Sequence, residues 1–88
     1  MKLRPYHISG TGSGKIADPG DLWTVTINTT ASGAVLTLYN EASAVAAAKV
    51  AVIDCSVQIG TLTYGVYCDK GIYYALAGGN ADITVGYR

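Results

Sequence analysis

Hydrophobic and polar positions alternate most regularly across residues 22–40, LWTVTINTTASGAVLTLYN. Trp23, Val25 and Ile27 stand between Thr24, Thr26 and Asn28, the period of two of a half-buried strand. Thr30, Ala31, Ser32 and Gly33 follow as a tight turn, with Gly33 free to take a positive φ. Leu36 and Leu38 then alternate with Val35, Thr37 and Tyr39. The pattern predicts a hairpin around which the rest of the chain is organised. Valine, isoleucine and threonine dominate it and a glycine interrupts it, so no helix fits.

The same rhythm continues downstream. KVAVID (49–54) carries Val50 and Val52 on one side and Ile53 on the other, which predicts a central strand, or one covered by a neighbour. TLTYGVYC (61–68) alternates again, and Asp69, Lys70 and Gly71 form a short hairpin turn. IYYALA (72–77) returns, Gly78 to Ala81 turn once more, and Ile83, Val85 and Tyr87 mark a last strand. EASAVAAA (41–48) is too short for a stable isolated helix and reads as a loop holding at most one helical turn. Six strands and a seventh near the N-terminus predict an all-β domain, a single small antiparallel β-sandwich or jelly-roll-like fold of about 6–8 strands. The expected core is Trp23, Val25, Ile27, Leu36, Leu38, Val52, Leu62, Val66, Ile72, Leu76, Ile83 and Val85.

Before that domain, residues 1–15 read as an extended N-terminal arm followed by a Gly/Ser hinge, with the sandwich spanning 16–88. Pro5 biases Arg4 towards extended backbone, as an arm or an edge strand, and SGTGSG (9–14) reads as flexible. The arm Lys2, Leu3, Arg4, Pro5, Tyr6, His7 and Ile8 is a candidate docking element, because it holds two of the six cations and can add a strand to a neighbour's sheet edge.

Composition then narrows the function. Only 14% of the 88 residues are charged, against about 25% in an ordinary soluble domain. A domain this small has proportionally more surface than a large one. Much of that surface must be apolar or hydroxylic, which favours a subunit covered by partner copies. The formal net charge is zero and the cations are scattered along the sequence, which argues against a nucleic-acid partner. The longest charge-free apolar-rich run, 42–48, is far too short to span a membrane. MKLRPYHISG lacks the apolar core of a secretory signal. Two cysteines, Cys55 and Cys68, are too few for a disulfide framework and read as free core residues of a protein made in a reducing cytoplasm.

No chemical centre emerges. GTGSGK (10–15) has Ser9 and Ile16 where a phosphate-binding loop needs a glycine and a Ser or Thr, and no strand–helix unit follows. His7 is the single histidine, with no adjacent group to fix it as a catalytic base. Cys55, Cys68 and His7 are too dispersed for a zinc site, and the acids fall at turns without the alternation of a calcium loop. The expectation is a non-enzymatic protein without metal or cofactor. Seven tyrosines and one tryptophan could stack on a glycan, but Tyr64, Tyr67, Tyr73, Tyr74 and Tyr87 read better as core and subunit-contact residues.

The succession Val25-Thr26-Ile27-Asn28-Thr29, Leu38-Tyr39-Asn40, Ala51-Val52-Ile53-Asp54, Leu62-Thr63-Tyr64 and Ala81-Asp82-Ile83-Thr84-Val85 resembles small structural proteins of tailed bacteriophages. These are the capsid decoration, cement or head-stabilising proteins, and the resemblance spans roughly residues 22–88. The Ala-rich 41–48 stretch departs from the short Gly/Ser/Thr loop of that pattern. The resemblance implies a β-sandwich homotrimer on the exterior of a virion, made in the host cytoplasm, that clamps neighbouring copies of the major capsid protein. The alternative is a glycan-binding module of a head fibre or tail.

Overall fold

A computed structural model describes residues 2–57 and 60–88; Met1, the first residue of the expected arm, lies outside them. Among the described residues there are eight strands: β1 (Arg4–Ile8), β2 (Gly12–Ala17), β3 (Gly20–Thr29), β4 (Val35–Asn40), β5 (Lys49–Asp54), β6 (Thr61–Cys68), β7 (Ile72–Ala77) and β8 (Asp82–Tyr87). They form two antiparallel sheets of four, in the orders β1-β8-β3-β6 and β2-β7-β4-β5.

These orders follow from one simple operation. β4 pairs with β5, β3 with β6, β2 with β7 and β1 with β8, so the whole chain is a single long hairpin with its tip at residues 41–48. Rolling that hairpin brings β8 against β3 and β7 against β4 and closes each sheet. The result is the eight-strand jelly roll. The Ala-rich segment is the hairpin tip, holding one 3-10 turn at Ala46–Ala48.

The expected hairpin of residues 22–40 is corrected by this topology. β3 and β4 lie in different sheets, and residues 30–34 arch between them. The Ala31 N–H donates to the Cys55 carbonyl and the Cys55 N–H to the Ala34 carbonyl, so the arch is tied to the exit of β5. The turns at 69–71 and 78–81 likewise cross between sheets. A turn residue between two alternating runs marks a reversal, but the strand a run pairs with depends on distant chain.

The N-terminal segment is extended, as expected, but it does not swing free. Arg4–Ile8 is the edge strand of the first sheet, in register with β8 from Arg4↔Tyr87 to Ile8↔Ile83. Residues 12–14, half of the expected hinge, begin β2, the edge strand of the second sheet. Gly14 is accommodated there for a packing reason: a Cβ on it would sit 3.3 Å from the Tyr74 ring.

Burial confirms eight of the expected core residues, with Val25, Ile27, Leu36, Leu38, Ile72, Leu76, Ile83 and Val85 all at 2% exposure or less. Trp23, Val52, Leu62 and Val66 are corrections, because Trp23 and Leu62 are only half-buried and the two valines are exposed. Trp23 is the extra residue of a bulge in β3 opposite β8, which reverses the alternation so that Leu22 and Val25 both face inward. β5 is an edge strand and not a central one, so Val52 lies on an uncovered face. Val66 follows the irregularity at Gly65 on edge strand β6.

Cys55 and Cys68 are free and wholly buried. Burial pushes both thiols above their ordinary range, and nearby carboxylates add to the effect. Neither thiol should react with a water-soluble alkylating agent at neutral pH until the protein is unfolded in denaturant. Rapid modification of the native protein would contradict this packing.

Candidate docking and contact surfaces

In a sandwich, each strand turns one row of side chains to the core and one to solvent. Registered neighbours share a face, so the outer faces can be assembled row by row. On the first sheet, Thr61, Thr26, Thr84 and His7 form one row and Thr63, Thr24, Gly86 and Pro5 the next. This face is hydroxylic. Thr26 and Thr61 share a hydrogen bond of 2.9 Å between their Oγ1 atoms.

One polar cluster interrupts it. Asp82 accepts from Asn28 Nδ2 at 2.8 Å and from His7 Nε2 at 2.8–2.9 Å, and Asn28 Nδ2 also reaches Thr84 Oγ1 at 2.9 Å. The cluster joins β1, β8 and β3. The donation from Asn28, then that from His7, holds the Asp82 carboxyl below the ordinary carboxylate range. A carboxylate depressed in the folded state stabilises it fully above the unfolded value of about 4 and loses that contribution as pH falls through the lower folded value. Acid should therefore lower the hydrogen-exchange protection of β1 more than that of β3. An Asp82→Asn variant showing the same acid dependence would contradict the assignment.

The outer face of the second sheet is different. Ser13, Ala75, Thr37 and Val52 stand in one row, and Ala77, Val35 and Asp54 in the next. Val52 is 60% exposed and Val35 38%. Apart from Asp54 at its margin, this part of the face carries no charge. Farther along, Tyr39 and Tyr73 meet edge-on with centroids 6.2 Å apart, and the Tyr73 hydroxyl donates to Ser13 Oγ at 3.1 Å.

The residues anticipated as contacts separate between these surfaces. Tyr64 is half-buried against the core, and its desolvated hydroxyl has a raised pKa. Tyr74 packs against Tyr6 with centroids 5.6 Å apart, both rings turned toward the core from the middle of β7 and β1, and its hydroxyl is raised first by burial and then by Tyr6. Tyr73 belongs to the outer face of the second sheet, and Tyr67 is the most exposed large hydrophobic side chain among the described residues, at 62%. Tyr87 packs against the core and lines a cleft with Lys2, Leu3 and Arg4. Of the arm residues, Pro5 and His7 lie on the outer face, while Tyr6 and Ile8 face the core. The candidate arm is thus divided among three environments.

Sequence reasoning missed Lys15 and Arg88, which join Lys2 and Arg4 around that cleft. It also missed Asn28 and Asp82. The apolarity of KVAVID on both sides was the one local signal for the exposed Val52. Among the described residues no three His, Cys, Asp or Glu side chains are grouped to hold a metal ion. Among those residues no helix is long and apolar enough to cross a membrane. Comparison with protein-family models and with curated proteins finds no match to this chain.

Proposed function

We propose that this chain is a non-enzymatic structural subunit of a tailed-bacteriophage virion, a capsid decoration protein that sits on the outside of the head as a trimer. The observation that carries the reading is the outer face of the second sheet. There an almost uncharged surface around Val35, Thr37, Val52 and Ala75 lies open on a domain with very little charge elsewhere. An apolar patch of this kind marks an interaction surface. The fold lends support by analogy, since eight-strand jelly rolls recur in viral shells and in lectins.

Self-association through that face buries Val52 and Val35 and leaves the other sheet free for the major capsid protein. Sedimentation at tens of micromolar should give roughly three times the 9.1 kDa chain mass. Val52→Glu should reduce this to the monomer mass while changing chain stability by no more than about 0.5 kcal/mol, as at other exposed positions. A wild-type monomer, or a trimer indifferent to Val52→Glu, would contradict the proposed contact face.

The glycan-binding alternative rests on Tyr67. Its ring stands exposed opposite Asp21, which accepts from Arg88 Nε at 2.8 Å. Retention on immobilised glycans that is lost in Tyr67→Ala would favour that alternative.

A further inference from the structure

The cations that are scattered along the sequence converge in space. Because neighbouring strands are antiparallel, residues 2–3, the connections at 18–19, 41–48 and 69–71, and Arg88 all lie at one end of the sandwich. All six Lys and Arg residues belong to that end: Lys2, Arg4, Lys15, Lys49, Lys70 and Arg88. Four carboxylates accompany them, Asp18, Asp21, Glu41 and Asp69. The opposite end holds Asp54 and Asp82 and no Lys or Arg. A chain of zero formal charge is therefore polarised, with a positive excess at one end.

Four of the six cations surround a cleft of about 870 Å³ where β1 and β2 diverge at the open edge of the sandwich. Lys15 is satisfied by Asp18 at 2.8 Å and Arg88 by Asp21 at 2.8 Å. Lys2 and Arg4 make no ion pair among the described residues. Arg4 has the strand parity of Tyr6 and Ile8, the inward residues of β1, so beyond the end of the core that side opens onto the cleft. The remaining lining includes Leu3, Ile16, Pro19 and Tyr87, which are apolar or aromatic.

We infer that this cleft binds an extended segment of a partner protein in which carboxylates alternate with apolar side chains, laid along the free edge of β1. The edge strand supplies main-chain hydrogen bonds, Lys2 and Arg4 receive the carboxylates, and Leu3 and Tyr87 receive the apolar side chains. A uniformly charged polyanion fits less well. It would leave the apolar lining of Leu3, Ile16, Pro19 and Tyr87 uncovered. The inference concerns the chemistry of the cleft and holds whether or not the chain decorates a phage head.

Fluorescence anisotropy with the full chain tests it, using a labelled ten-residue peptide of alternating glutamate and valine. The comparison probes are a lysine–valine peptide, a single-stranded DNA of similar length and a heparin fragment. The glutamate–valine peptide should bind and the lysine–valine peptide should not. The double variant Lys2→Gln, Arg4→Gln should weaken binding about tenfold, as loss of two charge contacts implies. Lys49→Gln, Lys70→Gln, at the same end but outside the cleft, should change it less than about twofold. Both pairs are exposed, and unchanged melting curves establish that the variants are folded. Absence of peptide binding, equal losses in the two double variants, or tighter binding of DNA or heparin would each overturn the inference.

Discussion

Gly78→Ala is expected to destabilise the protein by about 3 kcal/mol or more, a large share of the roughly 5–15 kcal/mol available to a small domain. Two effects combine. Gly78 has φ +87°, a conformation that side chains rarely adopt. A Cβ there would also run into the carbonyl oxygen of Gly33, on the arch between β3 and β4. That obstacle is main chain and cannot rotate away. Residues 30–34 and 78–81 are the places where the rolled hairpin crosses between its sheets, and they press backbone to backbone. A Cβ on neighbouring Gly79 would lie 2.8 Å from the Ser32 carbonyl oxygen. Gly86→Ala provides the comparison, because the atom in its way is the Thr24 side-chain hydroxyl, which can move. Thermal unfolding should show Gly78→Ala shifted by roughly 15 °C, from about 4–8 °C per kcal/mol at this size, and Gly86→Ala shifted by less. Equal shifts would mean that the arches are not in close contact.

Leu38→Ala should cost about 2–5 kcal/mol, the transfer of the lost side chain plus the cavity left behind. Leu38 is 0% exposed on β4, an inner strand flanked by Ala51 of β5 and Tyr74 of β7 in the same register. Ala51 is too small to fill the space, and Tyr74 is held against Tyr6. The site can therefore collapse only partly. Denaturant unfolding should show a lower midpoint with an unchanged slope, the signature of lost stability without a change of native compactness. A cost below about 1 kcal/mol would show that the two sheets close over the missing side chain.

The readability of this fold followed the range of the forces involved. Alternation is set by each strand's two faces, so β3 to β8 could be recognised locally, and the eight confirmed core residues lie on four of the strands, β3, β4, β7 and β8. β2 was concealed, since its first three residues, GSG, read as part of a hinge; pairing with β7 makes it a strand, with Tyr74 packed over Gly14. The bulge at Trp23 was also invisible, because it is defined by a count of residues against β8. Which turns join neighbours and which arch between sheets depends on the rolling of the whole hairpin. The gathering of six cations at one end follows from that connectivity and from no stretch of sequence by itself. Val52 was a different kind of error: apolarity on both sides of β5 was read as a central strand or one covered by a neighbour, and Val52 was placed in the core. On an edge strand the same residues leave an apolar face open.

The most direct measurement of the proposed role is cryo-electron microscopy of undecorated tailed-phage heads, before and after addition of the purified protein. The proposal predicts added density on the outer shell surface, in three-fold copies large enough to hold jelly-roll subunits of 32 × 29 × 16 Å. Unchanged shells at saturating protein, with all of it remaining in free solution, would contradict it.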